Sequence, residues 1–355
     1  MLLIPGRMAV VIQGKIIRKL PGRERAPGRR PATVRIGYVP LMDAAPLIAA
    51  EALGYFERAG LRVNLEEELG WGSIRDKIVY GELDVAHAPG GLLFSILLGI
   101  HAPARPVETD LVINLQGNAI TLSRCLWQKG VTDGDSFRMM IRSEAPRRPR
   151  LAVVSQYSSH LFLLHQWLRK AGINPETETR IAVLPPPLIV EHMRQGYIDG
   201  FCAGEPWNSV AALSGEGWIA ATSSSLAPNH PEKILVCTQE MAGSFPEEYA
   251  ALRKAILAGC QYCESAANQS ELIDLLHERL FVSVSKEMLA NCLSSRPQTG
   301  VVPLPAQGPL IRFDAGDGNR ASRERAAWIL NSLTQTRALP LDPSQRRRCL
   351  EAFKD

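Results

Sequence analysis

The stretch Asp199-Gly200-Phe201-Cys202-Ala203-Gly204-Glu205-Pro206-Trp207-Asn208 decides the reading of this chain. Phe201-Cys202-Ala203 is a short apolar run of the kind that forms a buried strand, and it stops at Gly204. Pro206 stands where the first residue of a helix favours proline, because that position has no intrahelical partner for its N–H. A strand that ends in glycine and opens a helix leaves backbone N–H groups free at the helix N-terminus, a ready site for an anion. Trp71-Gly72-Ser73, Gln116-Gly117-Asn118 and Tyr157-Ser158-Ser159-His160 are further turns of this type.

Outward from that stretch, strands alternate with helices, which is the pattern of an α/β protein. Val34-Arg35-Ile36-Gly37-Tyr38-Val39 reads as a strand, followed by a helix that stops at Gly54. Val63-Asn64-Leu65 is a second strand, and Ser73 is placed to cap a helix over 74–80. Asp84-Val85-Ala86-His87-Ala88 is a third strand, and Gly90-Gly91 opens an apolar helix. A polar stretch over 133–150 interrupts the alternation. It then restarts as strand 151–155, helix 158–171, strand 181–184, helix 189–195, strand 201–203 and helix 206–213. Ile234-Leu235-Val236-Cys237-Thr238 returns as a strand, and helices dominate 246–293 and 322–333. The expected organisation is a leader over 1–32, a first lobe over 33–120 plus 231–355, and a second lobe over 121–230.

The composition sets limits. A chain of 355 residues suits two domains, and 46% apolar with 21% charged residues excludes disorder and coiled coil. The net charge of +4 gathers in the arginine runs at 23–30, 147–150 and 346–348, which carry no interleaved aromatics. Direct nucleic-acid binding is therefore not expected. No window is apolar enough for a membrane span. Residues 1–32 read as a disordered basic leader without a secretory signal. The seven scattered cysteines suit reduced, buried thiols, so a cytoplasmic location is expected. Cys260 and Cys263 lie in a helical pattern and read as structural. His87, His101, His165, His192 and His277 share no metal-ligand spacing, so neither metal nor cofactor is expected. No nucleophile–base cluster is visible, which argues against an enzyme.

Five motifs in order resemble one family. They are Asp43-Ala44-Ala45-Pro46-Leu47, Trp71-Gly72-Ser73-Ile74-Arg75-Asp76, Leu184-Pro185-Pro186-Pro187, Gly204-Glu205-Pro206-Trp207-Asn208 and Asn229-His230-Pro231-Glu232-Lys233. The family is the nitrate/bicarbonate substrate-binding family of ABC transporters, with its cytoplasmic nitrate-sensor relatives, and the resemblance covers about residues 34 to 295. It implies the type II periplasmic-binding-protein fold: two α/β lobes with a hinge and an inter-lobe ligand cleft. Carried over position by position, it implies a nitrate site at Trp71, Gly72, Ser73, Asn118, His160 and Lys233. Gln116 is a substitute donor for Asn118, which is shorter than the family's usual glutamine. Glu205 and Pro186 are secondary candidates.

Within the resemblance, bicarbonate binders carry an acidic residue at the position of Lys233, so the lysine favours nitrate, or nitrite as a near-isostere. Lys233→Glu is expected to abolish nitrate binding and leave the fold intact. Without a secretory signal, the leading expectation is a cytoplasmic nitrate sensor that controls a partner, an RNA-binding antiterminator in related systems. The alternative is the solute-binding component of a nitrate or bicarbonate importer, with an ABC permease as partner.

Overall fold

The computed structural model describes residues 9–12, 15–18, 33–301, 308–314, 316–336 and 341–354. Its first two strands, β1 (Ala9–Ile12) and β2 (Lys15–Arg18), pair antiparallel. They fall within the stretch expected to be a disordered leader. The difference has a local reason, since two apolar β-branched runs separated by two residues form the pattern of a hairpin. The rest of that leader lies outside the described residues.

The first lobe is built on β3 (Val34–Tyr38), β4 (Val63–Glu67), β5 (Val85–Pro89), β6 (Val107–Glu108), β7 (Val112–Gln116), β13 (Pro231–Thr238) and β14 (Ile311–Arg312). The sheet order is β14-β7-β13-β5-β3-β4, with β6 paired to β13. β3 runs parallel to β4 and β5, while the returning β13 runs antiparallel to both β5 and β7. The second lobe is built on β8 (Asn118–Ser123), β9 (Arg150–Val153), β10 (Arg180–Val183), β11 (Gly200–Gly204) and β12 (Gly217–Thr222), in the order β10-β9-β11-β8-β12. Both sheets carry helices, and β13 is buried along its whole length, as a central strand read from a continuous apolar run should be.

Two crossings join the sheets. β7 ends at Gln116 and β8 starts at Asn118, so only Gly117 lies between them, and the second sheet begins at 118 rather than 121. Gly117 has φ +99°, a conformation that glycine adopts without steric cost. The return crossing precedes β13 and contains Asn229 at φ +58°. The two crossings are tied together: the Gln116 N–H donates to the His230 carbonyl at 3.1 Å. The Gln116 side-chain oxygen accepts the Asn229 N–H at 2.9 Å.

Two helix starts differ from expectation. The helix after β11 is Trp207–Leu213, so Pro206 is the residue before it and not its first. The helix expected from 74 starts earlier, as Trp71–Val79 on Gly70, and Ser73 lies inside its first turn. Glycine ranks close to threonine as an N-cap, so the extended Gly70 can open the helix without a capping hydroxyl.

The lobes are in contact. The Met42 N–H of the first donates to the Glu205 carbonyl of the second at 2.8 Å. A single apolar cluster runs from Leu41 and Trp71 through Val154, Phe201 and Ala203 to Ile329 and Leu333. Those last two belong to the helix Arg323–Gln335, which packs on Gly90–Leu98 of the first lobe and on Ser159–Lys170 of the second.

Candidate functional site

Lys233 lies on β13 with 0% exposure, and a buried lysine needs compensation. Its ammonium is 2.6 Å from Asp43 Oδ2 and 2.8 Å from Glu232 Oε1. Neighbouring residues on a regular strand face opposite ways. Here the register of β13 against β7 shifts on both sides of Lys233, from Pro231↔Leu115 to Lys233↔Asn114 to Ile234↔Val112. Such irregularities re-aim side chains, and Glu232 and Lys233 join one cluster.

Each lobe contributes. From the first come Asp43, on the turn Met42–Ala44, and His87, on β5, whose Nε2 is 3.4 Å from Asp43 Oδ1. Trp71 places its ring 5.6 Å from the Lys233 ammonium. From the second, Asn118 Nδ2 donates to Glu232 Oε2 at 2.6 Å, and the Ser159 hydroxyl donates to the same oxygen. His160 Nε2 is 2.8 Å from Asn118 Oδ1, a contact in which the imidazole donates, and 3.5 Å from Glu232 Oε1. A Cβ on Gly204 would lie 3.5 Å from Asn118 Oδ1 and 3.6 Å from Asp43 Oδ2, so the end of β11 borders the cluster.

The electrostatics are set by burial and by Lys233. Burial disfavours ionised Glu232, but the adjacent ammonium and His160 overcome it and hold the carboxyl well below its usual range. Burial likewise lowers Lys233, and Asp43 with Glu232 raises it above its ordinary value. His87 is pushed down to about 4, first by burial and then by the Lys233 charge against the opposing pull of Asp43. His230 is pushed down to about 4, chiefly by burial.

The helix Arg323–Gln335 covers the cluster. Trp328 stacks on His230 at 5.1 Å and 8°, and meets Phe162 edge-on at 5.5 Å. Beneath it, a cavity of about 10 Å³ reaches Ser159 and Glu232. That is room for roughly one water molecule.

Of the residues expected at the site, Trp71, Asn118, His160 and Lys233 converge. Gly72 is exposed, and the Ser73 hydroxyl donates to the Gly70 carbonyl at 3.0 Å. Their N–H groups belong to the first turn of Trp71–Val79. Gln116 braces the hinge through Asn229, and its amide donates to the Pro309 carbonyl at 3.5 Å. Glu205 accepts the Ser209 N–H at 3.0 Å, and the Cys292 thiol donates to it at 3.5 Å; burial raises its carboxyl to about 7. Pro186 is buried at the start of the turn Pro186–Leu188 and adds no polar group. Asp43, Ser159 and Glu232 lie in stretches quoted from the sequence but carry no assigned role there, and His87 and Trp328 are given no site. The visible signals were the candidate turn at 157–160 and the pairing of an acid with the adjacent lysine in Glu232-Lys233.

Among the described residues, no group of three His, Cys, Asp or Glu side chains could hold a metal ion. All seven cysteines are free, and all but Cys125 are buried. The arrangement gathers polar groups from both lobes around one buried cation, with Asp43 and Glu232 against its charge and the Asn118 and Ser159 donors on Glu232.

Comparison with known proteins agrees in fold and class. Residues 28–277 match the model of the NMT1-like family. The bicarbonate transport ATP-binding protein CmpC of Synechococcus elongatus is 34% identical over 334 residues, 92% of this chain and 49% of that protein. The nitrate import ATP-binding protein NrtC of Synechocystis is 33% identical over 303 residues, 84% of this chain and 45% of that protein. The chain thus spans about half the length of these curated relatives. The crystal structure of the periplasmic nitrate-binding protein NrtA from Synechocystis superposes with a TM-score of 0.83 at 23% identity, covering 92% of this chain and 86% of that one. The two-lobed fold is therefore that of the periplasmic binding proteins.

Proposed function

The chain belongs to the NMT1-like family, and we propose that it binds a small planar oxyanion of the nitrate and bicarbonate class between its lobes, as the anion-binding module of an ABC importer. One observation carries this reading: a fully buried lysine stands at the lobe junction, among donors that come from both lobes. An anion bridging such groups stabilises lobe contact, which is the event a transporter would read.

The relatives bear on the role. CmpC and NrtC are named for transport, so an importer replaces the cytoplasmic sensor as the leading reading. The antiterminator partner has no counterpart among them. They include both bicarbonate and nitrate proteins, and Lys233 no longer decides between those ligands. Its charge is already matched by Asp43 and Glu232, whose acceptors suit the O–H of bicarbonate as well as its donors suit nitrate.

Tryptophan fluorescence tests the site. Trp71 is 5.6 Å from the ammonium, so saturating nitrate or bicarbonate should shift emission, and Trp71→Phe should remove that shift. A shift of equal size in Trp71→Phe would place the anion elsewhere.

A further inference from the structure

We propose that Asp43 is a built-in counter-anion: the incoming oxyanion takes its place on Lys233, and Asp43 turns to His87, which takes up a proton. The inference rests on the oxyanion reading above and concerns how that site accepts its ligand.

The two carboxylates on Lys233 are held differently. Glu232 is fixed by Asn118 and Ser159 besides the lysine, with His160 at 3.5 Å. Asp43 binds Lys233 through Oδ2, while its buried Oδ1 has no hydrogen-bond partner. Asp43 is the one that can leave. Its destination is visible too. His87 is fully buried with neither ring nitrogen hydrogen-bonded, and its Nε2 lies 3.4 Å from the orphaned Oδ1. A buried imidazole with both nitrogens unpaired calls for a reason, and a second partner state supplies one.

Charge balance gives the direction. One ammonium against two carboxylates leaves the cluster at a formal minus one. A monoanion would make it minus two in a site shut off from water, where unpaired charge is costly. A proton from bulk water, added to a ring nitrogen of His87, restores minus one and gives Asp43 an imidazolium partner. The charged groups around His87 are Asp43 from the turn, and Lys233 and Glu232 from β13, with the Trp71 ring 6.2 Å away. The first shares the proton, the second holds the arriving anion, and the third stays on Asn118. His160 is placed differently, with its Nε2 on Asn118 Oδ1 and with Glu232, not Asp43, as its carboxylate neighbour.

The test is calorimetric titration of the full chain with nitrate, in two buffers of different ionisation enthalpy, for wild type, Asp43→Asn, Asp43→Ala and Glu232→Gln. Circular dichroism melts verify folding of each. The expected result is uptake of about one proton per nitrate by the wild type, with affinity falling by up to about tenfold for each pH unit above about 4, until the imidazolium of the bound state itself titrates. Asp43→Asn and Asp43→Ala should bind at least about tenfold tighter and take up no proton. Glu232→Gln should weaken binding, because its carboxylate organises the donors. If only bicarbonate binds, the affinity ratio of Asp43→Asn to wild type at one pH decides. Wild-type binding without proton uptake, and no tightening in either Asp43 variant, overturns this inference and leaves the oxyanion site standing. Silence of every variant with both anions overturns both.

Discussion

Lys233 and Asp43 meet at 2.6 Å, with the lysine wholly out of solvent and Glu232 on its other flank. A buried pair of this kind is costly to break from one side, because the partner stays behind uncompensated. The cluster is therefore a structural joint between the crossing strand β13 and the turn that starts the first helix.

Lys233→Met should abolish oxyanion binding and lower stability by about 3–5 kcal/mol, since two carboxylates lose their cation. Urea unfolding monitored by circular dichroism checks the second part. Lys233→Glu, expected from the sequence to spare the fold, should be worse, because it would gather three carboxylates in one buried place. Wild-type stability in Lys233→Met would show that Asp43 and Glu232 do not depend on the lysine.

Gly91 sits on the first-lobe helix, and a Cβ there would lie 2.2 Å from the carbonyl oxygen of Tyr157 in the second lobe. Backbone cannot yield as a side chain can. Gly91→Ala should therefore hold the lobes apart while leaving each lobe folded. Small-angle scattering should record a larger radius of gyration, and anion affinity should drop. An unchanged radius with unchanged affinity would mean that the lobes accommodate the methyl.

Trp328 ties the covering helix to His230 and Phe162. Trp328→Ala should cost roughly 2–3 kcal/mol, below the full range for a core tryptophan because the side chain is only partly buried. Hydrogen exchange should rise in 323–335 and in 159–170 together. A rise confined to 323–335 would argue that this helix does not brace the second lobe.

Stability should fall on acidification below neutrality. His87 and His230 are held to about 4 in the fold against 6.5 in the unfolded chain, so the unfolded chain binds their protons first. Their contribution is present above about 6.5 and lost as pH falls toward about 4. Glu205 runs the other way, being raised from 4.5 to about 7, so it costs stability as pH climbs through that range. Two groups against one leave a net gain of about 1.4 kcal/mol per pH unit between about 4.5 and 6.5. Below that window Glu232, whose folded value is depressed, adds a further loss as it protonates. Thermal melts across pH 4 to 7 in about half-unit steps check the slope. A flat profile would mean that the imidazoles are not buried neutral.

The alternation of strands and helices was legible because β/α units write their periodicity locally, as in Phe201-Cys202-Ala203 and Ile234-Leu235-Val236. Gly117 was legible as a turn, and it is the crossing itself. Lys233, Asn118, His160 and Trp71 came from a resemblance, and they converge. Glu232 did not come, because only the register shifts of β13 against β7 bring neighbouring residues into one cluster, and register belongs to the partner strand as much as to β13. Asp43 and His87 lie 44 residues apart on different elements, and nothing local marks their approach. Trp328 is farther still. Gln116 was chemically suitable for an anion, yet positive φ on both sides of the hinge turns its side chain to Asn229.

The most direct test of the account is calorimetric titration of the wild-type chain with nitrate and, separately, with bicarbonate, repeated with Lys233→Met. Saturable one-to-one binding of at least one anion by the wild type, lost in the folded variant, is the predicted result. Binding that survives the loss of Lys233, or none of either anion to the wild type, would contradict an oxyanion site at the lobe junction.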